Sequence, residues 1–202
     1  EVLIVNDGSS DGTVQVVEDF CKTRKNFRLI NLTVNSGKGA AVRTGVLAAE
    51  GDLILFTDAD GSTPISELNR LIVSLKNSGA EVAIGSRAMK SEETGVRARW
   101  IRKILGRLFN FAVNILAVPK ILDTQCGFKL FTAKAANILF QKQRFPRFSF
   151  DLEILWRANK LAIKVVEVPV NWHHVEGSKV SVVRDGIKML RDAFILAFSK
   201  DN

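Results

Sequence analysis

The sequence predicts a Rossmann-like α/β fold, in which a mostly parallel central sheet is flanked by helices. Three observations support this prediction. Short apolar runs alternate with segments whose apolar residues recur at helical spacing. The apolar runs of the first half end in polar loops that contain glycine, as buried parallel strands do. The length of 202 residues is enough for one domain with a sizeable core.

The predicted elements follow one another in a regular order through the first half of the chain. Apolar runs bounded by Gly, Asp, Asn or Ser predict strands, and apolar residues three or four positions apart predict helices. Strands are predicted at 2–5, 29–32, 53–56 and 81–85, and helices begin near residues 13, 40 and 64. This series of βα units favours a parallel sheet.

The second half has a different character. Helices are predicted at 104–116, 133–140, 151–160 and 182–199, with one strand at 165–170. Pro169 predicts that this strand lies at a sheet edge or ends there. We expect one domain, 1–202, in two parts: a nucleotide-type βα half at 1–96 and a mixed half at 97–202 that completes the site.

A basic stretch opens the second half of the chain. It contains Arg97, Arg99, Trp100, Arg102 and Lys103 and leads into the apolar face of the helix at 104–116. Basic residues, a Trp and a broad apolar face suit a helix that lies in a membrane interface. An ordinary amphipathic helix against the core explains the same pattern.

Composition limits the possible partners. The formal net charge of +8 implies an anionic partner: nucleic acid, a membrane surface or a phosphorylated substrate. Cys21 and Cys126 lie far apart in sequence, which argues against a zinc site and a disulfide framework and suggests a reducing compartment. No apolar run reaches the roughly 18–20 residues needed to span a bilayer. The chain starts at Glu1, directly before a strand, so we expect it to be a piece of a longer protein.

The strand at 53–56 leads into two carboxylates, Asp58 and Asp60. Ligands of open α/β sheets bind at the carboxyl ends of strands. Two carboxylates this close suit Mg²⁺ or Mn²⁺, which takes further ligands from substrate phosphates. A polar turn without a metal also fits, as does the Asp-x-Asp loop of haloacid-dehalogenase-type phosphatases. Those phosphatases carry the loop on their first strand, whereas two strand–loop units come earlier here.

Two earlier loops also stand at strand ends. Asp7 is a fixed acceptor suited to a base or ribose, and Gly8 lets the backbone approach a ligand closely. In the second loop, Lys38 lies between Gly37 and Gly39, where it can meet a phosphate as a point charge. The spacing of a nucleotide-triphosphatase phosphate loop, GxxxxGK[ST], is absent.

Seven motifs in order carry a resemblance to a known family. Those of the first half resemble the family 2 glycosyltransferases of the GT-A fold, and those of the second half are similar to the dolichyl-phosphate β-glucosyltransferases within it. The motifs are VNDGSSDGT at 5–13, NSGKGAA at 35–41, TDAD at 57–60, GSR at 85–87, DTQCGFKLF at 123–131, FSFDLE at 148–153 and NWHHVEGSK at 171–179.

The resemblance implies roles on the donor side of the site. Asp7 would hold the uridine base, with Gly8 beside it, and Lys38 would face the nucleotide sugar. Asp58 and Asp60 would bind Mg²⁺ or Mn²⁺ and the donor diphosphate, and both are expected to be catalytic.

It also implies roles on the acceptor side. Arg87, Lys129 and Lys179 are candidates for binding phosphate groups, and Gln125 and Asp151 would face the sugar or the acceptor. Arg87 and Asp151 are expected to be catalytic as well.

The implied reaction is transfer of glucose from UDP-glucose to dolichyl, or another polyprenyl, phosphate with inversion of configuration. The product, dolichyl β-D-glucosyl phosphate, would serve protein N-glycosylation. The resemblance places the catalytic domain on the cytosolic face of the endoplasmic reticulum membrane. The family's first strand and the N-terminal membrane anchor are expected to lie outside this sequence.

Three alternatives remain open from the sequence. A polyprenyl-phosphate mannosyl- or other hexosyltransferase would carry the same motifs with a different donor. A phosphatase would use Asp58 as its nucleophile. A basic nucleic-acid-binding module would explain the charge, but no binding motif for nucleic acid is present, so no nucleic acid partner is expected.

Overall fold

The fold is known from a computed structural model that describes residues 1–89, 91, 93–97, 114, 116, 118–175 and 182–199. Strands and helices alternate along the first half, as predicted. The strands are β1 (Val2–Asp7), β2 (Phe27–Leu32), β3 (Leu53–Thr57), β4 (Val82–Ser86), β5 (Val96–Arg97), β6 (Phe128–Thr132), β7 (Val165–Pro169) and β8 (Trp172–His173). The helices are α1 (Thr13–Lys22), α2 (Lys38–Ala48), α3 (Leu68–Ser78), α4 (Ala133–Gln141), α5 (Phe150–Lys160) and α6 (Val182–Phe198).

The central sheet has four strands in the order β3–β6–β4–β7. Strands β3, β4 and β7 run in the same direction, and β6 runs against β3 and β4, between which it lies. Strands β1 and β2 pair in parallel in a sheet of their own, as do the two-residue strands β5 and β8. The predicted mostly parallel sheet is therefore confirmed. Strand β7 is an edge strand that ends at Pro169, as that proline predicted.

Strand β6 was not predicted, because its sequence does not look like a central strand. It reads Phe-Lys-Leu-Phe-Thr and carries the charged Lys129 in its second position. The first four residues of this strand are nevertheless buried. A lysine at such a position breaks the apolar pattern that identifies a strand buried on both faces.

Helices α4 and α5 build the larger part of the core. Both carry aromatic residues that meet the sheet: the rings of Phe131 and Phe140 lie 5.3 Å apart, and those of Phe56 and Phe150 lie 5.7 Å apart, each pair edge to face. Helix α4 begins where the Thr132 side chain accepts a hydrogen bond from the backbone of Ala135. The contact between Phe56 and Phe150 holds the start of α5 against the end of β3.

The predicted amphipathic helix at 104–116 and the motif end at 176–179, including Lys179, fall outside the described residues apart from positions 114 and 116. Among the described residues, no helix has the length and apolar character required to traverse a bilayer.

Candidate active site

The carboxylate of Asp58 lies at the end of β3 and packs against Gly127. The Asp58 amide donates a hydrogen bond to the Gly127 carbonyl, with a nitrogen–oxygen distance of 3.0 Å. A Cβ atom added to Gly127 would lie 2.0 Å from Asp58 Oδ2, far inside van der Waals contact. Gly127 precedes β6, so the antiparallel strand sets the position of this carboxylate.

Lys38 reaches Asp58 from the first turn of α2. Its Nζ lies 2.7 Å from Asp58 Oδ1, and both side chains are about one third exposed. Burial lowers the pKa of Lys38, but the charges of Asp58, Asp151 and Asp60 outweigh burial and hold that pKa above its ordinary value. The ammonium group therefore lies among three carboxylates at one edge of the sheet.

The start of α2 is held by the segment before α5. The Ala40 amide donates to the Pro146 carbonyl at 2.9 Å. Gly37 has a φ of +100°, and a Cβ there would lie 2.5 Å from the Pro146 carbonyl oxygen. Glycine is required at Gly37 because both its left-handed φ and this contact exclude a side chain. The backbone of Lys38 is consequently fixed, while its side chain is 33% exposed.

Asp7 braces the loop that leads into α2. Its two carboxylate oxygens accept hydrogen bonds from the backbone amides of Ser36 and Gly37 at 2.7 and 2.9 Å. Its own carbonyl accepts from the Asn35 side chain at 3.0 Å. Gly8 packs on the same loop, where a Cβ would lie 2.5 Å from the Asn35 amide nitrogen. Asp7 thus joins the first two loops, and its predicted contact with a base stays a prediction.

Asp60 is exposed two residues beyond Asp58. Its Oδ1 accepts a hydrogen bond from the Ser62 amide at 2.9 Å, which closes a local turn. Among the described residues, no group of three or more His, Cys, Asp or Glu side chains could hold a metal ion by itself. Two carboxylates fit a hard divalent cation that takes its other ligands from a diphosphate and water. Asp58 and Asp60 therefore fit a site for Mg²⁺ or Mn²⁺ in which the diphosphate and water supply the remaining ligands.

Lys129 and Asp151 form a buried pair beneath the site. Lys129 is 1% and Asp151 4% exposed. The Lys129 ammonium donates to Asp151 Oδ1 and, at 2.7 Å, to the Cys126 carbonyl. Burial raises the pKa of Asp151 above its ordinary value although Lys129 and Lys38 act against it. Lys129 holds Asp151 here, and its predicted direct contact with a phosphate stays a prediction.

Arg87 follows β4 and forms a hydrogen-bonded ion pair with Asp123. Its Nε and Nη2 donate to the two Asp123 oxygens at 2.7 and 2.8 Å, and its amide donates to the same carboxylate at 2.9 Å. Asp123 is itself fixed, because its amide donates to Glu167 of β7 at 2.8 Å. The guanidinium also lies 5.5 Å from the centre of the Trp172 ring. Arg87 thus keeps a fixed orientation while its side chain stays 31% exposed.

The ion pair between Arg87 and Asp123 shifts the pKa of both groups. Burial lowers the pKa of Arg87, but the charge of Asp123 outweighs it, so that the pKa lies above its ordinary value. Burial raises the pKa of Asp123, but the Arg87 charge and hydrogen bonds outweigh it, so that this pKa lies below its ordinary value. Both groups are therefore charged at neutral pH.

The predicted residues do not all meet at one point. The charges of Asp58, Asp60 and Asp151 all act on the pKa of Lys38, and the charge of Asp58 also acts on Asp151 and Arg87. Gln125 is half-buried, and its backbone amide donates a hydrogen bond to Asp123 Oδ1 at 3.2 Å. Cys126 is 1% exposed, and burial raises the pKa of its thiol to about 12, which fits a small core residue and not a nucleophile.

Sequence reasoning missed the residues that position the others: Asp123, Gly127, Glu167 and Trp172. Asp123 and Gly127 stood inside a recognised motif, but their partners are distant in the chain. Glu167 carried a signal that could have been used, since an acid inside an otherwise apolar strand usually has a buried partner.

Comparisons with known proteins identify the family. The family model described as "Glycosyl transferase family 2" matches residues 1–140. The chain is 40% identical to a dolichyl-phosphate β-glucosyltransferase of Trichomonas vaginalis, covering 96% of this chain and 61% of the relative. It is 40% identical to the Drosophila melanogaster enzyme (97% and 62%) and 38% identical to that of Saccharomyces cerevisiae (100% and 67%). The chain thus spans little more than three fifths of the first two relatives.

Solved structures show the same fold. Glucosyl-3-phosphoglycerate synthase from Mycobacterium tuberculosis, in complex with phosphoglyceric acid, matches with a TM-score of 0.72 at 15% identity, over 100% of this chain and 70% of that one. A complex of that synthase with Mn²⁺, UDP-glucose and phosphoglyceric acid matches with a TM-score of 0.70 at 14% identity, over 99% and 69%. The fold is of the GT-A type. With the family model over 1–140 and these relatives over nearly its whole length, the chain belongs to glycosyl transferase family 2.

Proposed function

We propose that the protein transfers glucose from UDP-glucose to dolichyl phosphate with inversion, giving dolichyl β-D-glucosyl phosphate for protein N-glycosylation. One observation carries this proposal: the carboxylates of Asp58 and Asp60 stand at the end of β3 beside Lys38, in a chain whose relatives bear the name of that activity. A carboxylate pair next to a lysine at a sheet edge matches a site that binds a diphosphate.

On the donor side, Asp58 and Asp60 would hold Mg²⁺ or Mn²⁺, which when bound would stabilise the charge of the leaving diphosphate. Asp7 and Gly8 would face the uridine. Lys38 would donate to a phosphate oxygen from the first turn of α2, where the helix dipole also favours an anion. Support for the divalent ion comes from the complexes of the structural neighbour with Mn²⁺ and UDP-glucose.

On the acceptor side, Arg87 would bind the phosphate of the acceptor, with Gln125, Lys129 and Lys179 as further candidates. Asp151 would face the sugar. A phosphate oxygen of the acceptor would attack the anomeric carbon from the face opposite the departing diphosphate, which inverts the configuration. A phosphate dianion is already nucleophilic near neutral pH, so positioning is more important here than a strong general base.

A membrane surface is the proposed location of the acceptor, with 1–96 as the donor half and 97–202 as the acceptor half of one catalytic domain. Support comes from an exposed apolar face on α6, formed by Ile187, Phe194, Ile195 and Phe198, which are 45–72% exposed. The acids of this helix, Asp185 and Asp192, are buried instead. We propose that the domain lies on the cytosolic face of the endoplasmic reticulum membrane.

The reaction is tested by a donor screen with the natural full-length protein and dolichyl phosphate. UDP-glucose should support transfer, and GDP-mannose and UDP-N-acetylglucosamine should not. Activity with GDP-mannose alone would instead show a mannosyltransferase. Release of inorganic phosphate through a phosphoaspartyl intermediate at Asp58 would show a phosphatase.

The carboxylate pair is tested by Asp60→Asn. This change removes a charge from the proposed metal ligand, and we expect kcat to fall about 100-fold or more, as for other groups that stabilise transition-state charge. Asp52→Asn, just before β3 at its opposite end, is the matched control and should leave transfer unchanged. Wild-type turnover of Asp60→Asn with added Mn²⁺ would contradict the metal site.

A further inference from the structure

We propose that Lys38 is the internal counter-ion of Asp58 and competes with the divalent metal for that carboxylate, so that the metal binds tightly only together with the donor diphosphate. The inference rests on the proposed metal–diphosphate site and adds an order of binding to it. It follows from the contacts of Lys38, from the surroundings of Asp58 and from the balance of charge.

Both oxygens of Asp58 already have neighbours. Oδ1 lies 2.7 Å from the Lys38 ammonium. Oδ2 faces Gly127 so closely that a Cβ atom there would lie 2.0 Å away. A metal ion that uses Oδ1 must therefore displace the ammonium, and one side of Oδ2 is covered by backbone. Binding of the metal to Asp58 thus includes the loss of a charged hydrogen bond.

The ammonium group can move while the backbone of Lys38 stays in place. The preceding Gly37 is held against Pro146, and the Ala40 amide is bonded to the Pro146 carbonyl. The Lys38 side chain, in contrast, is 33% exposed and ends at the surface of the site. A phosphate at the start of α2 would offer the displaced ammonium a new anionic partner within reach of the same backbone position.

The balance of charge favours joint binding of metal and diphosphate. The Lys38 ammonium pairs with Asp58 at 2.7 Å and also lies in the field of Asp151 and Asp60, so one cation already balances negative charge at this edge of the sheet. A divalent cation that binds alone would add two positive charges beside this ammonium. A diphosphate that arrives with the cation supplies the missing negative charge, and Lys38 passes from Asp58 to the diphosphate. Metal and donor should therefore increase each other's affinity.

The test measures binding of Mn²⁺ by electron paramagnetic resonance, with and without UDP-glucose, in the wild type and in Lys38→Met. Without UDP-glucose, Lys38→Met should bind Mn²⁺ about tenfold more tightly than the wild type, because Asp58 has lost its competitor. UDP-glucose should tighten Mn²⁺ binding strongly in the wild type and much less in Lys38→Met. Lys134→Met removes the same charge from a 79% exposed position on α4 and should match the wild type.

A second variant separates charge from side-chain shape and covers the case in which Lys38→Met does not fold. Lys38→Arg keeps a cation beside Asp58, and its Mn²⁺ affinity without donor should stay within about twofold of the wild type. Far-ultraviolet circular dichroism checks that each variant is folded. An Arg variant that binds Mn²⁺ tightly without donor would overturn the inference.

Two further outcomes would overturn the inference. The first leaves the proposed donor site intact, and the second also contradicts the proposed metal site. If Lys38→Met and the wild type bind Mn²⁺ equally without donor while UDP-glucose still tightens binding, competition by Lys38 is wrong but the proposed donor site stands. If the wild type binds no Mn²⁺ even with UDP-glucose, the metal part of the proposed function fails, and the inference fails with it.

Discussion

Gly127 occupies a position where any side chain would collide with the carboxylate of Asp58. In Gly127→Ala the short Asp58 side chain must rotate away, while the surrounding sheet keeps its hydrogen bonds. A displacement of about 1 Å in a binding group can cost about 100-fold in rate. We therefore expect the proposed glucose transfer to fall about 100-fold while the melting temperature changes by only a few degrees.

The matched control for that change is Gly12→Ala, because a Cβ at Gly12 meets nothing within 4 Å. It should keep both activity and melting temperature. Equal activity of Gly127→Ala and the wild type, measured with UDP-glucose and dolichyl phosphate, would mean that the position of Asp58 is not important for transfer.

The Arg87–Asp123 pair predicts a dependence of stability on pH. The pKa of Asp123 lies below its ordinary value of 3.8 in the folded protein, so this carboxylate stabilises the fold above that value. The stabilisation is lost as the pH falls through the folded pKa, because a protonated Asp123 no longer balances the Arg87 charge. Asp123→Asn should therefore unfold about 3 kcal/mol more easily at pH 7, at the low end for buried pairs because Arg87 is 31% exposed.

This prediction is checked by urea unfolding from about pH 7 down to about pH 3. The difference in the free energy of unfolding between the wild type and Asp123→Asn should narrow as the pH falls below 3.8. Lys134→Met, which removes a charge from a 79% exposed position on α4, should run parallel to the wild type throughout. A difference between Asp123→Asn and the wild type that stays constant with pH would contradict the lowered pKa of Asp123.

Single residues at strand ends were largely predictable, and their partners were not. Asp58, Asp60 and Lys38 follow or precede regular elements, and a parallel sheet brings such positions to one edge. The sequence does not show that both carboxylate oxygens of Asp7 accept hydrogen bonds from the loop before α2. Nor does it show that the Lys129 ammonium would be buried. Those outcomes depend on contacts between residues that are distant in the chain.

Helix α6 presents an exposed apolar face, and two cations of its described side chains, Lys188 and Arg191, are exposed as well. Lys188 and Arg191 lie among Ile187, Phe194 and Phe198, and Arg191 pairs with Asp192 at 2.9 Å while it stays 71% exposed. Asp192 also accepts a hydrogen bond from Ser149, the residue before α5, at 2.6 Å. The face is thus attached to the helix that carries Asp151. Such a face suits an anionic membrane interface.

We expect Phe194→Ser combined with Phe198→Ser to reduce binding to anionic phospholipid vesicles about tenfold or more, since two exposed aromatic rings that the membrane interface would bury are lost. Vesicle co-sedimentation measures this. Val16→Ser, at a 68% exposed position on α1, is the matched control and should bind as the wild type does. Undiminished vesicle binding by the double variant would assign the membrane contact to another part of the protein.

At the level of elements, the strands β1–β4 and β7 and the described helices followed from periodicity, whereas β6 and the two-residue strands β5 and β8 did not. Its four buried residues include a lysine whose ammonium pairs with Asp151 of α5. A charged residue becomes tolerable in a central strand through a partner that the local sequence does not reveal. The same reason explains why the antiparallel insertion in the sheet was not predicted.

The whole molecule depends on that strand, because β6 pairs with β3 on one side and β4 on the other. The two halves at 1–96 and 97–202 are therefore not separate folding units, although they were assigned separate roles. A chain that ends at residue 97 lacks the strand between β3 and β4 and much of the core on α4 and α5. We expect it to show no cooperative thermal transition.

Differential scanning calorimetry of that shortened chain, with the complete chain as reference, checks this expectation. A cooperative transition with a normal enthalpy for its length would mean that the first half folds alone. It would also mean that the sheet is stable before β6 pairs with β3 and β4.

The central place of β6 also determines when the protein can fold during its synthesis. The partners of this strand leave the ribosome long before β6 does, so β3 and β4 stay without a common neighbour while the intervening chain is made. Closing such a long loop is slow compared with forming local helices. The nascent chain therefore exposes two apolar strand edges for several seconds at ordinary rates of translation, at about 5–20 residues per second. This protein should depend on chaperones during translation more than its size suggests.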